Sequence, residues 1–140
     1  MLARLIFALA AAALASAAAG AADPPAEYDC VFNSGSTHVY DKGRFSSEPA
    51  ARLTFGIAAI NAPAQTAELR TSFGTGVLRL VLAVNAIHFI EVATEGALNI
   101  TTVYDKDDAK DAFPAVHSRH FALVGQPVVT QYQGFCQGKD

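Results

Sequence analysis

Two cysteines, Cys30 and Cys136, stand near opposite ends of the 140-residue chain, and no other feature limits its fold as much. What they do depends on the compartment, and the first 22 residues address that. Arg4 precedes an uncharged apolar stretch from Leu5 to about Ala15, small residues follow, and Asp23-Pro24-Pro25 ends the apolar character. These are the parts of a secretory signal peptide, with Ala17-Ala18-Ala19 and Ala19-Gly20-Ala21 as A-x-A-like sites. The expectation is a signal peptide over residues 1–22, cut between 19 and 22, and a mature domain over 23–140. A retained anchor is the competing reading, since Leu5–Ala22 is near the lower length limit for a bilayer span. Alanine supplies little transfer free energy, and the bulky residues sit only in the first part, so cleavage with no remaining span is expected. Cys30 lies too far from the cleavage zone for lipid attachment.

In an oxidising envelope compartment an isolated pair reads as one disulfide. It closes a loop of about 100 residues, which the chain-entropy model values at up to ~4–5 kcal/mol. The C-x-x-C spacing of redox-active thiols is absent.

Between the cysteines, short β-period runs alternate with turn residues. Tyr28, Cys30 and Phe32 alternate within Glu27–Phe32; Asn33-Ser34-Gly35-Ser36 reads as a turn into Thr37–Tyr40. Leu53, Phe55 and Ile57 alternate within Arg52–Ile60, and Ala67 and Leu69 precede a turn at Gly74-Thr75-Gly76. Val77–Val84, Ile87–Thr94, Ala97–Tyr104, Ala115–Val124 and Val128–Cys136 complete the set, with Asp105–Asp111 as a charged loop. The pattern predicts an all-β domain, either a sandwich or a small barrel. The disulfide favours a small antiparallel barrel of about eight strands, because a closed meander makes its first and last strands neighbours and removes exposed edges.

Two-residue turns fix which residues share a face. A turn at Asn85-Ala86 sets Leu82 opposite Phe89 and Leu80 opposite Glu91; one at Glu95-Gly96 sets Glu91 opposite Ile100 and Phe89 opposite Thr102. Leu78, Leu80, Leu82, Val84, Ile87, Phe89, Leu98 and Ile100 then share a face with Glu91, and that face is the expected interior. A turn at Gly125-Gln126 sets Arg119 opposite Tyr132 and His117 opposite Gly134, on a face that also carries Phe121, Leu123, Val128 and Cys136. Glu91, Arg119, His117 and Tyr132 thus form a candidate buried polar cluster. An unpaired carboxylate inside would cost several kcal/mol, so Glu91 is expected to pair with Arg119.

Tyr28-Asp29-Cys30, Phe89-Ile90-Glu91-Val92, Thr101-Thr102-Val103, Val116-His117-Ser118-Arg119-His120 and Gln131-Tyr132-Gln133-Gly134-Phe135-Cys136 resemble an uncharacterised family of small exported bacterial proteins. That resemblance implies export and a terminal disulfide, and carries no activity or site. In architecture the chain also resembles the periplasmic inhibitors of c-type lysozyme, compact barrels tied by cysteines near both ends. It lacks their tryptophan-bearing strand and their Ser- and Lys-containing loop, so no functional residue transfers.

The remaining motifs specify no chemistry. His117 and His120 point to opposite faces of a strand and cannot chelate one ion without a bulge. Ser118 and His120 share a face but stand about 7 Å apart along it, too far for an activated nucleophile. Asp105-Lys106-Asp107-Asp108 lacks the central glycine and terminal glutamate of a calcium loop. The formal net charge of −3 becomes −4 once Arg4 is removed, and without a basic cluster this argues against nucleic acid as partner. The sequence therefore predicts a monomeric, non-enzymatic exported barrel with no cofactor and no metal. Its expected partner is an envelope protein, bound in a binding or inhibitor role; the alternative is a small ligand inside the barrel, over a Glu91/Arg119 floor.

Overall fold

The computed structural model describes residues 23–93, 96–123 and 125–140. The expected signal peptide and its cleavage sites, and Glu95 of one expected turn, lie outside these residues. Nine strands follow in order: β1 (Glu27–Asp41), β2 (Arg44–Pro49), β3 (Leu53–Asn61), β4 (Thr66–Thr71), β5 (Gly74–Leu82), β6 (Ala86–Val92), β7 (Leu98–Tyr104), β8 (Phe113–Leu123) and β9 (Gln126–Lys139). Every pairing is antiparallel, and β9 returns to β1, so β1 and β3–β9 close an eight-stranded barrel with β2 as an extra strand on its rim.

Cys30 and Cys136 face each other across the β1–β9 seam and are disulfide-bonded, with Cα atoms 4.0 Å apart. The expected barrel and its closing disulfide are both present. Inside, Phe32, Ile57, Leu80, Phe89 and Val103 are fully buried and fill the middle. Tyr28 meets Phe89 and Phe113 edge-to-face at 6.2 and 5.1 Å, a favoured geometry for aromatic pairs.

Several boundaries differ from the sequence pattern. Asn33–Ser36 forms no turn; β1 runs on through a bulge at which Phe32 and Asn33 together face Gly134. A Cβ at Gly134 would overlap the Val31 carbonyl oxygen and the Phe32 Cα, so only glycine lets β1 come this close. The extra residue also changes which parity faces inward: Tyr28, Cys30 and Phe32 before the bulge, and Gly35, Thr37 and Val39 after it. The segment past the bulge pairs with β2 through a Lys42-Gly43 turn, both residues at positive φ as the favoured two-residue hairpin requires. The β4–β5 turn is Ser72-Phe73, with Gly74–Gly76 already in β5.

Three hairpin registers decide the interior. Ala83 N–H donates to the Ala86 carbonyl across a Val84-Asn85 turn, so Leu80 faces Phe89 and Leu82 faces Ile87. Leu123 faces Gln126 where β8 hands over to β9, so His117 faces Tyr132 and Arg119 faces Thr130. Both registers are two residues from the expected ones, a shift that leaves every side chain on its predicted face. The third hairpin does not. Ala93 N–H donates to the Ala97 carbonyl, giving three residues between them, and Glu91 faces Asn99 instead of Ile100. That odd step turns β7 over: Asn99, Thr101 and Val103 point inward, and Leu98 and Ile100 outward. Leu82 and Val84 also leave the predicted interior, because they overrun the barrel's end and are exposed.

Candidate functional site

With these registers, the inward residues lie in rows that cross the strands. The row through Phe89, Thr101, His117 and Tyr132 is buried. One residue pair higher, direct partners run Glu91, Asn99, Arg119, Thr130, Thr37 and Glu48 across β6, β7, β8, β9, β1 and β2. Every member of that row is polar, so these six strands place no apolar side chain over the core at this level. The result is an open mouth with a cavity of about 450 Å³, lined by Glu91, Asn99, His117 and Arg119 on one side and by Phe55, Leu69 and the β4–β5 turn on the other.

The expected Glu91–Arg119 ion pair is not formed. Asn99 stands between the two residues in the row, and its side-chain amide donates to Glu91 Oε2 at 2.7 Å. The slip that brought Asn99 inward supplied this neutral partner, which sequence reasoning missed. Glu91 Oε1 lies over Gly76, where a Cβ would come within 2.8 Å of it; glycine on β5 leaves room for the carboxylate. Arg119 is half-buried in the cavity wall and makes no ion pair among the described residues. Thr130 and Thr37, its neighbours in the row, hydrogen-bond each other at 3.0 Å.

His117 forms the floor. It is 7% exposed and bonds the Thr101 hydroxyl through Nδ1 at 2.8 Å. Its ring packs among Phe55, Phe32 and Tyr132 with centroids at 5.0, 5.8 and 5.9 Å. Burial, and secondarily the Arg119 charge, push its pKa down to about 4, so the ring is neutral at neutral pH. Of the four residues expected to cluster, His117 and Tyr132 are in ring contact and Arg119 lies one step above His117; Glu91 lines the same cavity as His117 and Arg119, from across Asn99.

The rim carries one feature the sequence pattern did not single out. Phe73, at the tip of the two-residue β4–β5 turn, is 99% exposed. Thr71 Oγ1 accepts from the Phe73 N–H at 3.1 Å and donates to the Gly74 carbonyl at 3.0 Å, which fixes the turn under the ring. A signal existed, because a large aromatic between Ser72 and Gly74 has no core to enter.

The outer strand faces separate the other candidates. His120 is exposed on the opposite side of β8 from buried His117, as strand alternation predicts, and Ser118 faces outward with it. In the charged loop, Lys106 pairs with Asp111 at 2.6 Å and Asp107 Oδ1 accepts from the Ala109 N–H. Among the described residues, no group of three or more histidine, cysteine or acidic side chains is placed to hold a metal ion, and no helix is long and apolar enough to cross a membrane.

Compared with family models, curated proteins and solved structures, the chain matches none.

Proposed function

We propose that this protein is an exported, non-enzymatic binding module, periplasmic or secreted, and that the polar mouth of its barrel is the binding site for a small ligand. One observation carries the reading: a cavity of about 450 Å³ stays open above a filled core, walled by converging polar side chains and an aromatic rim. Cavities that hold small ligands have this size and this mix of apolar wall and few polar groups. Export is supported by the signal-like first 22 residues and by the disulfide, a bond that persists in oxidising compartments. The non-enzymatic reading is supported by the burial of His117 and its Thr101 partner, 7% and 5% exposed, which keeps both in the packed core beneath the mouth.

A second reading, docking of an envelope protein in a binding or inhibitor role, is favoured by Phe73. A fully exposed ring on a braced turn is the kind of anchor that dominates protein interfaces. One experiment separates the two. The immobilised protein is exposed to an envelope extract, and retained small molecules and proteins are identified by mass spectrometry for the unaltered chain, for Arg119→Gln and for Phe73→Ser. A small molecule lost with Arg119→Gln but kept with Phe73→Ser supports the first reading. A protein lost with Phe73→Ser supports the second, and retention unaffected by either variant rejects the mouth as a binding site.

A further inference from the structure

Resting on the reading of the mouth as a ligand site, we infer that it takes a zwitterion: a carboxylate on Arg119 beside an ammonium on Glu91, as a free amino acid or short peptide presents. The argument starts from the separation of the two charges. Asn99 holds them two strand spacings apart, roughly 10 Å between Cα atoms. Both side chains face the same cavity and so converge on it. Asn99 satisfies Glu91 Oε2 but leaves Oε1 on the Gly76 side without an ion-pair partner among the described residues.

The guanidinium is the stronger constraint. Half-buried, it has lost part of its hydration, and a carboxylate in its planar fork restores that loss with two charge-assisted hydrogen bonds. A dianion such as phosphate would gain the same fork but would face the Glu91 carboxylate across the gap. A cation alone would satisfy Glu91 and leave Arg119 unpaired. A group bearing both signs satisfies both walls at once. The groups around them do not compete: His117 is neutral beneath Arg119, and the Thr130 hydroxyl is engaged by Thr37.

The test uses alanine, dialanine and trialanine, each free, C-amidated and N-acetylated, titrated into the 15N-labelled protein. Free forms are expected to shift the backbone amides of Asn99, Arg119 and Thr130. Amidated and acetylated forms should each bind roughly tenfold more weakly or worse, the usual loss of one hydrogen bond to a charged group. Arg119→Gln should erase the discrimination against amidation alone, and Glu91→Gln that against acetylation alone. The peptide length that binds best tells a free amino acid from a chain end. Because the ligand comparison needs only the unaltered protein, a variant that fails to fold leaves it decisive. Equal binding of all three forms overturns the zwitterion. So does an absence of mouth shifts with every probe: if Arg119→Gln still loses a ligand from extract, the ligand class alone falls, and if it loses nothing, the binding site falls with it.

Discussion

The two ends of the barrel are open cups of similar scale that place their charged residues differently: within the inward row at the mouth, and in a loop at the edge of the other end. The mouth holds about 450 Å³ above His117, between the polar side chains of Glu91, Asn99 and Arg119 and an apolar wall of Phe55 and Leu69. The other end holds about 620 Å³ around Tyr28, Ile87, Val103 and Phe113, with Pro24, Pro25 and Leu82 at its edge. The same strands build both, and strand alternation works equally well in each. What differs is the residue type that the inward row presents. The buried titratable groups also behave alike at both ends: each is held neutral, His117 by a pKa pushed down to about 4 and Tyr28 by one pushed up to about 12. At the mouth, charge enters one row above His117, where solvent reaches; at the other end, Asp105 and Lys106 stand at the cavity's edge. The barrel thus tolerates polarity by depth, and the candidate site lies where the polar row meets the opening.

The largest expected effect comes from the seam between the two ends. The disulfide spans 106 residues of sequence, so its loss should cost about 4 kcal/mol. Denaturant unfolding of the oxidised and reduced forms measures this. A difference below 1 kcal/mol would mean that the β1–β9 ladder closes the barrel unaided.

Acid should act on the mouth end. The folded pKa of His117 lies below its ordinary 6.5, so its contribution is intact above pH 6.5 and is lost as pH falls towards 4. The full loss is about 3 kcal/mol, and His117→Phe should flatten this part of the stability profile. Alkali should act on the other end. Burial, then the Asp105 charge, raises the Tyr28 pKa from 10 to about 12, so stability is intact below pH 10 and falls as pH rises towards 12. That loss is about 2–3 kcal/mol, and Tyr28→Phe should remove it. Unfolding curves across pH for the two variants check both windows; responses in the same window would erase the distinction between the ends.

The smallest effect is the most local. Double-mutant cycles on stability should couple Glu91 to Asn99 by about 1–2 kcal/mol, through a hydrogen bond to a carboxylate. Glu91→Gln and Arg119→Met should be additive within about 0.5 kcal/mol. Strong coupling of the second pair would mean that the two charges meet in solution.

The barrel, its strand count and its disulfide were legible because they rest on alternation and on cysteine position, which tolerate errors in turn placement. The inward placement of Glu91, His117, Arg119 and Tyr132 was legible for the same reason: a turn moved from Asn85-Ala86 to Val84-Asn85 shifts a register by two and preserves faces. The face of β7 was not legible. Leu98 and Ile100 point outward beside exposed Val92 and half-buried Ile90, so the outer surface there is as apolar as the inner one. Hydrophobic pattern cannot choose between two apolar faces, and the choice fell to a three-residue connection that reads as two. Strand β2 escaped notice because every residue of Arg44–Pro49 is exposed and its run carries no alternation. The polar row, and with it the site, became visible only when Asn99 turned inward.

The β1–β9 seam also sets a timetable. It joins residues about 100 positions apart, whereas the other barrel pairings join consecutive strands or, for β1 and β3, strands separated only by β2. The hairpins from β3 to β9 can form from nearby segments, but the seam must first meet the entropy of closing almost the whole domain. On this entropic ground closure is the expected slow step of folding. Until it happens β1 and β9 are open edges of the kind that pair with other chains. The cysteines stand on those same two edges, where oxidation makes a completed closure lasting.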